Sequence, residues 1–202
     1  VSAFSGGSGA DVFGRAIVPV NGPTITPGRP GLGVKTNGSA SCAFIAIPQT
    51  TFFEATILCL SEPSALNTNR GTIQVASSVA KNPIIGIRSG NSTSSRVRRW
   101  VRSNSGGSLI SSSDSTITGF ALGKESLVGI RLRVEAGSPN PIHSIWVGGV
   151  ADDIQTGTIS PGYTCDRIGI GALVFKDGRY DFFNGRAYVG AVFVRALDDD
   201  EM

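Results

Sequence analysis

Short runs of apolar or alternating residues, separated by turn-forming residues, make up most of this chain. Alternation with a period of two places successive side chains on opposite faces of a strand, and short apolar runs are typical of buried strands. Clusters of Gly, Ser, Pro and Asn, such as 89–95 and 103–115, are predicted breaks between strands. The pattern predicts strands at residues 43–47, 53–60, 72–76, 84–88, 96–102, 127–135, 142–147, 167–170 and 185–194.

Helical periodicity is almost absent from the chain. One short helix is predicted at 197–201, where Asp198 or Asp199 is the candidate N-cap residue. Residues 1–41 are rich in breakers and predict turns, and the Lys-Asp-Gly-Arg segment at 176–179 predicts a hairpin turn. Many short strands joined by turns predict an all-β antiparallel sandwich of two sheets.

The composition narrows the class of protein. The chain has 202 residues, of which 27 are Gly and only 16% are charged, and this excludes disordered chains and long helical proteins. No apolar run reaches the roughly 18 residues of a membrane-spanning helix. We interpret residues 1–27 as a Gly-, Ser- and Pro-rich leader with a first strand, and residues 28–202 as one domain. The missing N-terminal Met suggests a fragment or a processed product.

Three cysteines, Cys42, Cys59 and Cys165, lie far apart in the chain. An odd number without C-x-x-C spacing argues against a disulfide scaffold and against a zinc site. Cys42 and Cys59 lie in apolar runs, so we expect buried free thiols. Unpaired thiols favour assembly in a reducing cytoplasm.

Arginines alternate with apolar residues in two of the predicted strands. Strand 96–102 has one face with Arg96, Arg98, Trp100 and Arg102 and a second face with Val97, Arg99 and Val101. Strand 127–135 has an inner face with Val128, Ile130, Leu132 and Val134 and an outer face with Arg131, Arg133 and Glu135. Both strands are therefore expected to present arginines on a solvated face of a sheet.

The net charge of +3 understates this basic character, because four acidic residues lie at 198–201. Guanidinium groups form paired hydrogen bonds with carboxylate, sulfate or phosphate, and Trp100 offers a flat face to a sugar ring or a base. Three interpretations stay open: a solvated strand face, recognition of an acidic or phosphorylated glycan, and a contact with nucleic acid or a neighbouring subunit. Only 4 of the 18 basic residues are Lys, which argues against nucleic acid. The candidate ligand-binding residues are Arg96, Arg98, Trp100, Arg102, Arg131 and Arg133.

The last third of the chain carries a series of short motifs. Residues 142–149 read I-H-S-I-W-V-G-G, residues 167–171 read R-I-G-I-G, and residues 183–202 begin F-N-G-R-A and end R-A-L-D-D-D-E-M. Together with the Gly-rich stretch at 28–34, these motifs resemble the L-Y-V-D-G turn, the I-G strand and the closing F-x-G to R-A-L stretch of concanavalin A-like, laminin G-like domains. The resemblance covers residues 28–202 and implies a two-sheet jelly roll whose concave face often holds a glycan.

The resemblance leaves calcium open as a cofactor, since some laminin G-like domains bind calcium through carboxylates and backbone carbonyls. The acidic residues in or near loops that could converge are Asp152, Asp153, Asp166, Asp177 and Asp181. No D-x-D-x-D-G loop supplies the required oxygens, so we expect solvated acids and predict no metal ligand.

Catalytic patterns are missing from the sequence. Glycoside hydrolases of the same superfamily carry an E-x-D-x-x-E strand, because two carboxylates must flank the scissile bond. Here Glu54, Glu62, Glu125 and Glu135 are isolated from one another. His143 is the only histidine, no G-x-S-x-G motif is present, and we expect His143 to be an ordinary strand or turn residue. We predict a protein that is not an enzyme.

A jelly roll with a Gly/Ser leader and unpaired cysteines resembles domains of bacteriophage tail, fibre or head-decoration proteins. We therefore predict a non-enzymatic adhesion module on a virion or particle surface, folded in the bacterial cytoplasm and present in several copies. Its expected partners are a cell-surface polysaccharide and other subunits of the virion or fibre, with no nucleic acid and no membrane. A purely structural virion subunit and a divergent glycoside hydrolase are the alternatives.

Overall fold

The computed structural model describes residues 2–5, 13–27, 32–79, 84–90, 93, 95–102, 109–136, 140–157, 162–175 and 178–202. The strands in these ranges are β1 (Ser2–Ser5), β2 (Ile17–Val20), β3 (Thr24–Pro27), β4 (Leu32–Asn37), β5 (Cys42–Phe52), β6 (Ala55–Pro63), β7 (Gly71–Ala76), β8 (Ile84–Ser89), β9 (Arg96–Arg102), β10 (Leu109–Thr118), β11 (Ser126–Arg133), β12 (Ile142–Val147), β13 (Val150–Thr156), β14 (Tyr163–Ile170), β15 (Leu173–Phe175), β16 (Gly178–Tyr180) and β17 (Asn184–Phe193). A 3-10 turn at Asp199–Glu201 follows β17. The described part of the chain contains no helix with the length and apolarity needed to cross a bilayer.

Two antiparallel sheets contain nearly all of these strands. The first sheet has the order β13-β12-β11-β6-β17-β4-β3, and β1 also pairs with β17. The second sheet has the order β10-β9-β8-β7-β14-β5-β2. Strands β15 and β16 form a separate hairpin. The arrangement confirms the predicted all-β sandwich of two antiparallel sheets.

The inner faces of the two sheets enclose one apolar core. Side chains such as Ile57 and Ile130 from the first sheet and Ile87, Val101 and Ile168 from the second are buried in it. Each such side chain contributes roughly 1.5–3 kcal/mol through removal of apolar surface from water. Because the apolar face of each strand packs into the core, its other face points outward. The polar residues on the outward faces are therefore the ones that a ligand can contact.

The hairpin of β15 and β16 lies over the outer face of the second sheet. Leu173 packs against Ala76 and Trp100, and the amide nitrogen of the Gln74 side chain donates to the carbonyl oxygen of Val174 at 3.1 Å. The hairpin predicted around 176–179 is confirmed by the pairing of Phe175 with Gly178, while residues 176–177 lie outside the described residues. The hairpin thus forms a wall beside the outward residues of the second sheet.

All nine strands predicted from the sequence overlap observed strands, and 96–102 and 142–147 match in both bounds. The predicted break at 103–115 is wrong over its second half, because the Ser- and Thr-rich segment at 109–118 forms β10. The turn-rich stretch 1–41, for which a first strand within 1–27 was predicted, contains the four strands β1 to β4, and β13 was missed. These segments are short or polar, and pairing with apolar neighbours makes them strands. The boundary at residue 28 stays a prediction.

The short helix predicted at 197–201 is a single 3-10 turn that begins after Asp198. The backbone N–H of Asp198 donates to the Glu201 carboxylate at 2.9 Å, and Arg195 binds the same carboxylate at 2.6 and 2.7 Å. Arg195 and the backbone of Asp198 together lower the pKa of Glu201 to about 2. The turn is therefore held closed against the end of β17.

The expectation of buried free thiols is confirmed for Cys42, Cys59 and Cys165. Burial raises the pKa of Cys59 and of Cys165 to about 12, because the thiolate would have to be desolvated. The thiols are therefore small packing residues and not reactive groups.

Candidate functional site: the arginine–tryptophan surface

Strand β9 separates its side chains into an inward and an outward face, as the sequence predicted. Val97 and Val101 are buried, and the outward residues Arg96, Arg98, Trp100 and Arg102 are half-buried. Arg88 of β8 lies directly opposite Arg98 in the antiparallel register and therefore shares this outward face, where it is buried at 5% exposure beneath its neighbours. We call the set Arg88, Arg96, Arg98, Trp100 and Arg102 the arginine–tryptophan surface.

Guanidinium groups surround the indole of Trp100. The guanidinium carbons of Arg88, Arg98 and Arg102 lie 4.7, 5.4 and 5.1 Å from the ring centroid. Each such cation–π contact contributes roughly 0.5–1 kcal/mol at an exposed site and aligns a flat guanidinium with the ring. Trp100 therefore holds arginines in position and does not present a bare ring face of the kind expected for a sugar platform.

Carboxylates and carbonyls fix two of these arginines from the side. Arg98 pairs with Asp114 at 3.2 Å and also donates to the Ser112 hydroxyl. Arg88 pairs with Asp181 at 2.5 Å and donates to the carbonyl oxygen of Asn69 at 2.8 Å. Asp181 and Asp114 thus each form an ion pair with one guanidinium of this surface.

The pKa of Arg88 reports the crowding of positive charge. Burial is the largest cause that lowers this pKa, Asp181 opposes it, and the charges of Arg98, Arg102 and Arg70 lower it further. Repulsion among guanidiniums in one patch is unfavourable unless a counter-anion relieves it. The surface therefore combines preorganised donors with an excess of positive charge, which suits an anionic ligand.

Arg131 and Arg133 lie on the outer face of β11 in the first sheet, away from the arginines of β9. Arg131 is only 8% exposed, so the expected solvated position of this residue is wrong. Its guanidinium lies 4.8 Å from the Trp146 ring centroid and donates to the carbonyl oxygen of Leu197 at 2.9 Å and to Asp199 at 2.6 Å. The chain after β17 thus covers Arg131.

The six predicted ligand-binding residues consequently form two groups on opposite sides of the sandwich. Arg96, Arg98, Trp100 and Arg102 share one surface, and Arg131 and Arg133 lie on the other sheet. Val134, expected on the inner face, is 42% exposed because it follows the end of β11. A role for any of the six in ligand binding stays a prediction. Arg88 was not among the predicted ligand-binding residues.

Sequence reasoning missed the buried polar cluster around Arg99, which is completely buried between the two sheets. Its guanidinium donates to the Ser111 hydroxyl at 2.8 Å, to the His143 carbonyl oxygen at 3.1 Å and to the Gln155 side chain at 3.0 Å. The same guanidinium forms an ion pair with Asp153 at 3.1 Å. The cluster joins the β9–β10 edge of one sheet to the β12–β13 edge of the other.

His143 is a buried strand residue, as expected. Neither imidazole nitrogen has a hydrogen-bond partner among the described residues, and the ring lies under Gly157 and close to Arg99. Burial, followed by the charge of Arg99, lowers the pKa of His143 to about 4. The imidazole is therefore neutral near pH 7, and it forms no hydrogen bond with a hydroxyl of the described residues.

The four described acidic residues considered for calcium each have a protein partner, which for Asp153 is Arg99. Asp152 accepts from the backbone and hydroxyl of Thr116, Asp166 from Ser78, and Asp181 from Arg88. Asp177 lies outside the described residues. In the part of the chain that the structure describes, no three His, Cys, Asp or Glu residues group closely enough to hold a metal ion.

No family model matches this chain, and no curated protein matches it in sequence. Solved structures match it in fold. Domain 4 of an extracellular GH43 arabinanase from Geobacillus stearothermophilus, in complex with arabinotriose, has a TM-score of 0.67 at 16% identity, over 99% of this chain and 94% of that one. The CBM40 domain of a Ruminococcus gnavus IT-sialidase, bound to α2,3-sialyllactose, has a TM-score of 0.56 at 14% identity, over 78% and 93% of the two chains.

A third match is the binding domain of Paraclostridial Mosquitocidal Protein 1, with a TM-score of 0.68 at 14% identity. The alignment covers 100% of this chain and 50% of that one, so this chain spans half the length of the toxin domain. At these identities the matches establish the fold and not a ligand. The chain adopts a two-sheet antiparallel jelly-roll sandwich, as the resemblance to concanavalin A-like domains implied.

Proposed function

We propose that this protein is a non-catalytic carbohydrate-binding module that binds an acidic polysaccharide on its arginine–tryptophan surface. The observation that carries the proposal is the close grouping of the guanidiniums of Arg88, Arg98 and Arg102 around one indole. Arginine forks bind carboxylate or sulfate groups through paired hydrogen bonds, and a row of them matches a repeating charge along a polymer. Two neighbours in fold were solved with oligosaccharides bound, which supports the ligand class.

The same proposal places the module on the surface of a phage or phage-like particle, where several copies act together. Weak single sites become effective when many copies engage one polymer, because each later contact forms at high effective concentration. The buried free thiols suit assembly in a reducing cytoplasm. The ligand in this setting is a polysaccharide of the host cell surface.

A matched pair of polymers tests the charge requirement. Binding of polygalacturonate and of its neutral methyl ester is measured by isothermal titration calorimetry on the whole protein. We expect the acidic polymer to bind and the ester to bind at least tenfold more weakly, with affinity falling as salt is raised. Equal binding of the two polymers, or binding of neither polymer nor of any acidic glycan on an array, would overturn the proposal.

A pair of variants tests the location. The double variant Arg98→Gln/Arg102→Gln is expected to weaken polymer binding at least tenfold. Arg133→Gln removes a charge from the other sheet and should leave binding unchanged. If the double variant changes only the state of assembly, the purely structural role is favoured. New reducing ends released from the polymer would contradict the non-catalytic assignment.

A further inference from the structure

A pocket lies on the first sheet, beside β3, β4 and the start of β17. It is a pocket of about 320 Å³, lined among others by Thr24, Lys35 and Asn184. This volume is at the lower end of the range of small-ligand sites, roughly 300–1,000 Å³. The pocket shares no residue with the arginine–tryptophan surface.

Hydrogen bonds within the protein fix one wall of this pocket. The side-chain oxygen of Asn37 accepts the backbone N–H groups of Ser39, Ala40 and Ser41 at 3.1, 3.0 and 3.1 Å. The Thr36 hydroxyl donates to the carbonyl oxygen of Phe183 at 2.6 Å. These polar groups are used by the fold, so the wall is preformed and does not have to order when a ligand binds.

Three other polar groups of the pocket are not used in this way. Among the described residues, the Lys35 ammonium, the Thr24 hydroxyl and the Asn184 carboxamide have no hydrogen-bond or ion-pair partner. Asn184 itself is held in place, because its carbonyl oxygen accepts from Ser64 at 2.8 Å and from Ala65 at 3.3 Å. The pocket thus presents one cation, one hydroxyl and one carboxamide on a fixed backbone.

The charges around Lys35 leave it uncompensated. In the strand register, Lys35 stands opposite Thr24 on one side and opposite Arg186 on the other. Arg186 stands opposite Glu62 and hydrogen-bonds with Tyr188, which in turn donates to the Glu62 carboxylate. The Glu62 carboxylate therefore interacts with Tyr188 and Arg186 and is not the partner of Lys35. Two like charges directly opposite each other destabilise a sheet, and a bound anion removes that penalty.

We infer that this pocket binds a monosaccharide unit that carries a carboxylate, such as a uronate. Lys35 pairs with the carboxylate, while the Asn184 carboxamide and the Thr24 hydroxyl, which both donate and accept, bind ring hydroxyls. The volume is larger than an inorganic anion needs. The described lining contains no aromatic side chain, so the sugar is recognised at its edges and not by stacking. This is a ligand subsite separate from the surface proposed above.

Titration of the unmodified ¹⁵N-labelled protein with glucuronate, glucose and sulfate tests the ligand class. We expect glucuronate to shift the backbone amide signals of Lys35, Asn184 and their neighbours in a saturable way, with glucose and sulfate at least tenfold weaker. Glucose binding as tightly as glucuronate would overturn the role of Lys35. Sulfate binding as tightly would reduce the pocket to a simple anion site and would also overturn the inference.

Variants then test the individual contacts. Lys35→Gln and Asn184→Ala are each expected to weaken glucuronate binding at least fivefold. The matched control is Lys124→Gln, which changes an exposed lysine in the turn before β11 and should leave glucuronate binding unchanged. Unchanged affinity in Lys35→Gln would refute the inference, and thermal melting confirms that each variant is folded. Arg98→Gln/Arg102→Gln should leave glucuronate binding intact, so a failure of this subsite is distinguishable from a failure of the arginine–tryptophan surface.

Discussion

Arg98 and Arg99 are neighbours in one strand and have opposite surroundings. Arg99 points into the sandwich, is completely buried, and uses its guanidinium on Ser111, Gln155, Asp153 and the backbone of His143. Arg98 points outward, with its side chain 15% exposed, and shares Trp100 with two further arginines. The same residue type closes the edge of the fold on one face and forms a basic surface on the other.

The partners of an arginine, and not its residue type, decide whether it contributes to stability or to ligand binding. The inward guanidinium has all of its neighbours supplied by the protein, so removing one member leaves a buried charge unpaired. The outward guanidiniums of Arg88 and Arg98 also have carboxylate partners, but the side chains of Asp181 and Asp114 keep 33% and 19% of their exposure. Stability should therefore depend on the inner group, and ligand binding on the outer one.

The largest expected effect is on stability when the inner cluster is broken. Arg99→Met should lower the free energy of unfolding by about 3–5 kcal/mol, because the Asp153 carboxylate, with a side chain only 16% exposed, loses its buried ion-pair partner and the buried Ser111 hydroxyl loses its donor. Urea denaturation measures the change. The double variant Arg99→Met/Asp153→Leu should recover part of the loss, since it removes both charges. If Arg99→Met lowers the free energy of unfolding by less than about 1 kcal/mol, the cluster around Arg99 is not a main contributor to stability.

The burial of His143 should make the stability of the protein depend on pH. Its folded pKa of about 4 lies below the ordinary value of 6.5, so the unfolded chain takes up the proton first. Stability should therefore fall as the pH is lowered from about 6.5 towards 4, by about 3 kcal/mol in total. Because His143 is the only histidine, urea denaturation of the wild type and of His143→Leu at several pH values isolates this effect. Parallel pH profiles for the two proteins would show that His143 is not responsible.

The sequence predicted the two faces of β9 correctly because period-two alternation is a local property. It also predicted the strands that carry long apolar runs, such as β11 and β17. It could not predict β10, whose Ser and Thr residues look like a loop until they pair with β9. Strand membership of such a segment depends on its partners and not on its own composition.

The site was only partly predictable for the same reason. Arg131 and Arg98 have the same local pattern, since both lie in strands where arginines alternate with apolar residues. Only the folded chain shows that Arg131 binds Leu197 and Asp199, whereas Arg98 binds Asp114 and Ser112 of the neighbouring strand. The signal for Arg99 was present, because alternation placed it with Val97 and Val101. Its partner Asp153 lies in β13, a short edge strand that the sequence did not reveal.

The smallest expected effect on stability is at the outer face, where the same substitution provides the matched control. Arg98→Met should lower the free energy of unfolding by about 1–2 kcal/mol, less than Arg99→Met, because the side chains of Arg98 and Asp114 keep 15% and 19% exposure whereas that of Arg99 has none. The measurement is the same urea denaturation as for Arg99→Met, in the same buffer. Equal losses at the two positions would mean that Arg98 is as structural as Arg99. The outward guanidiniums would then be committed to the fold and would not be available to an acidic ligand.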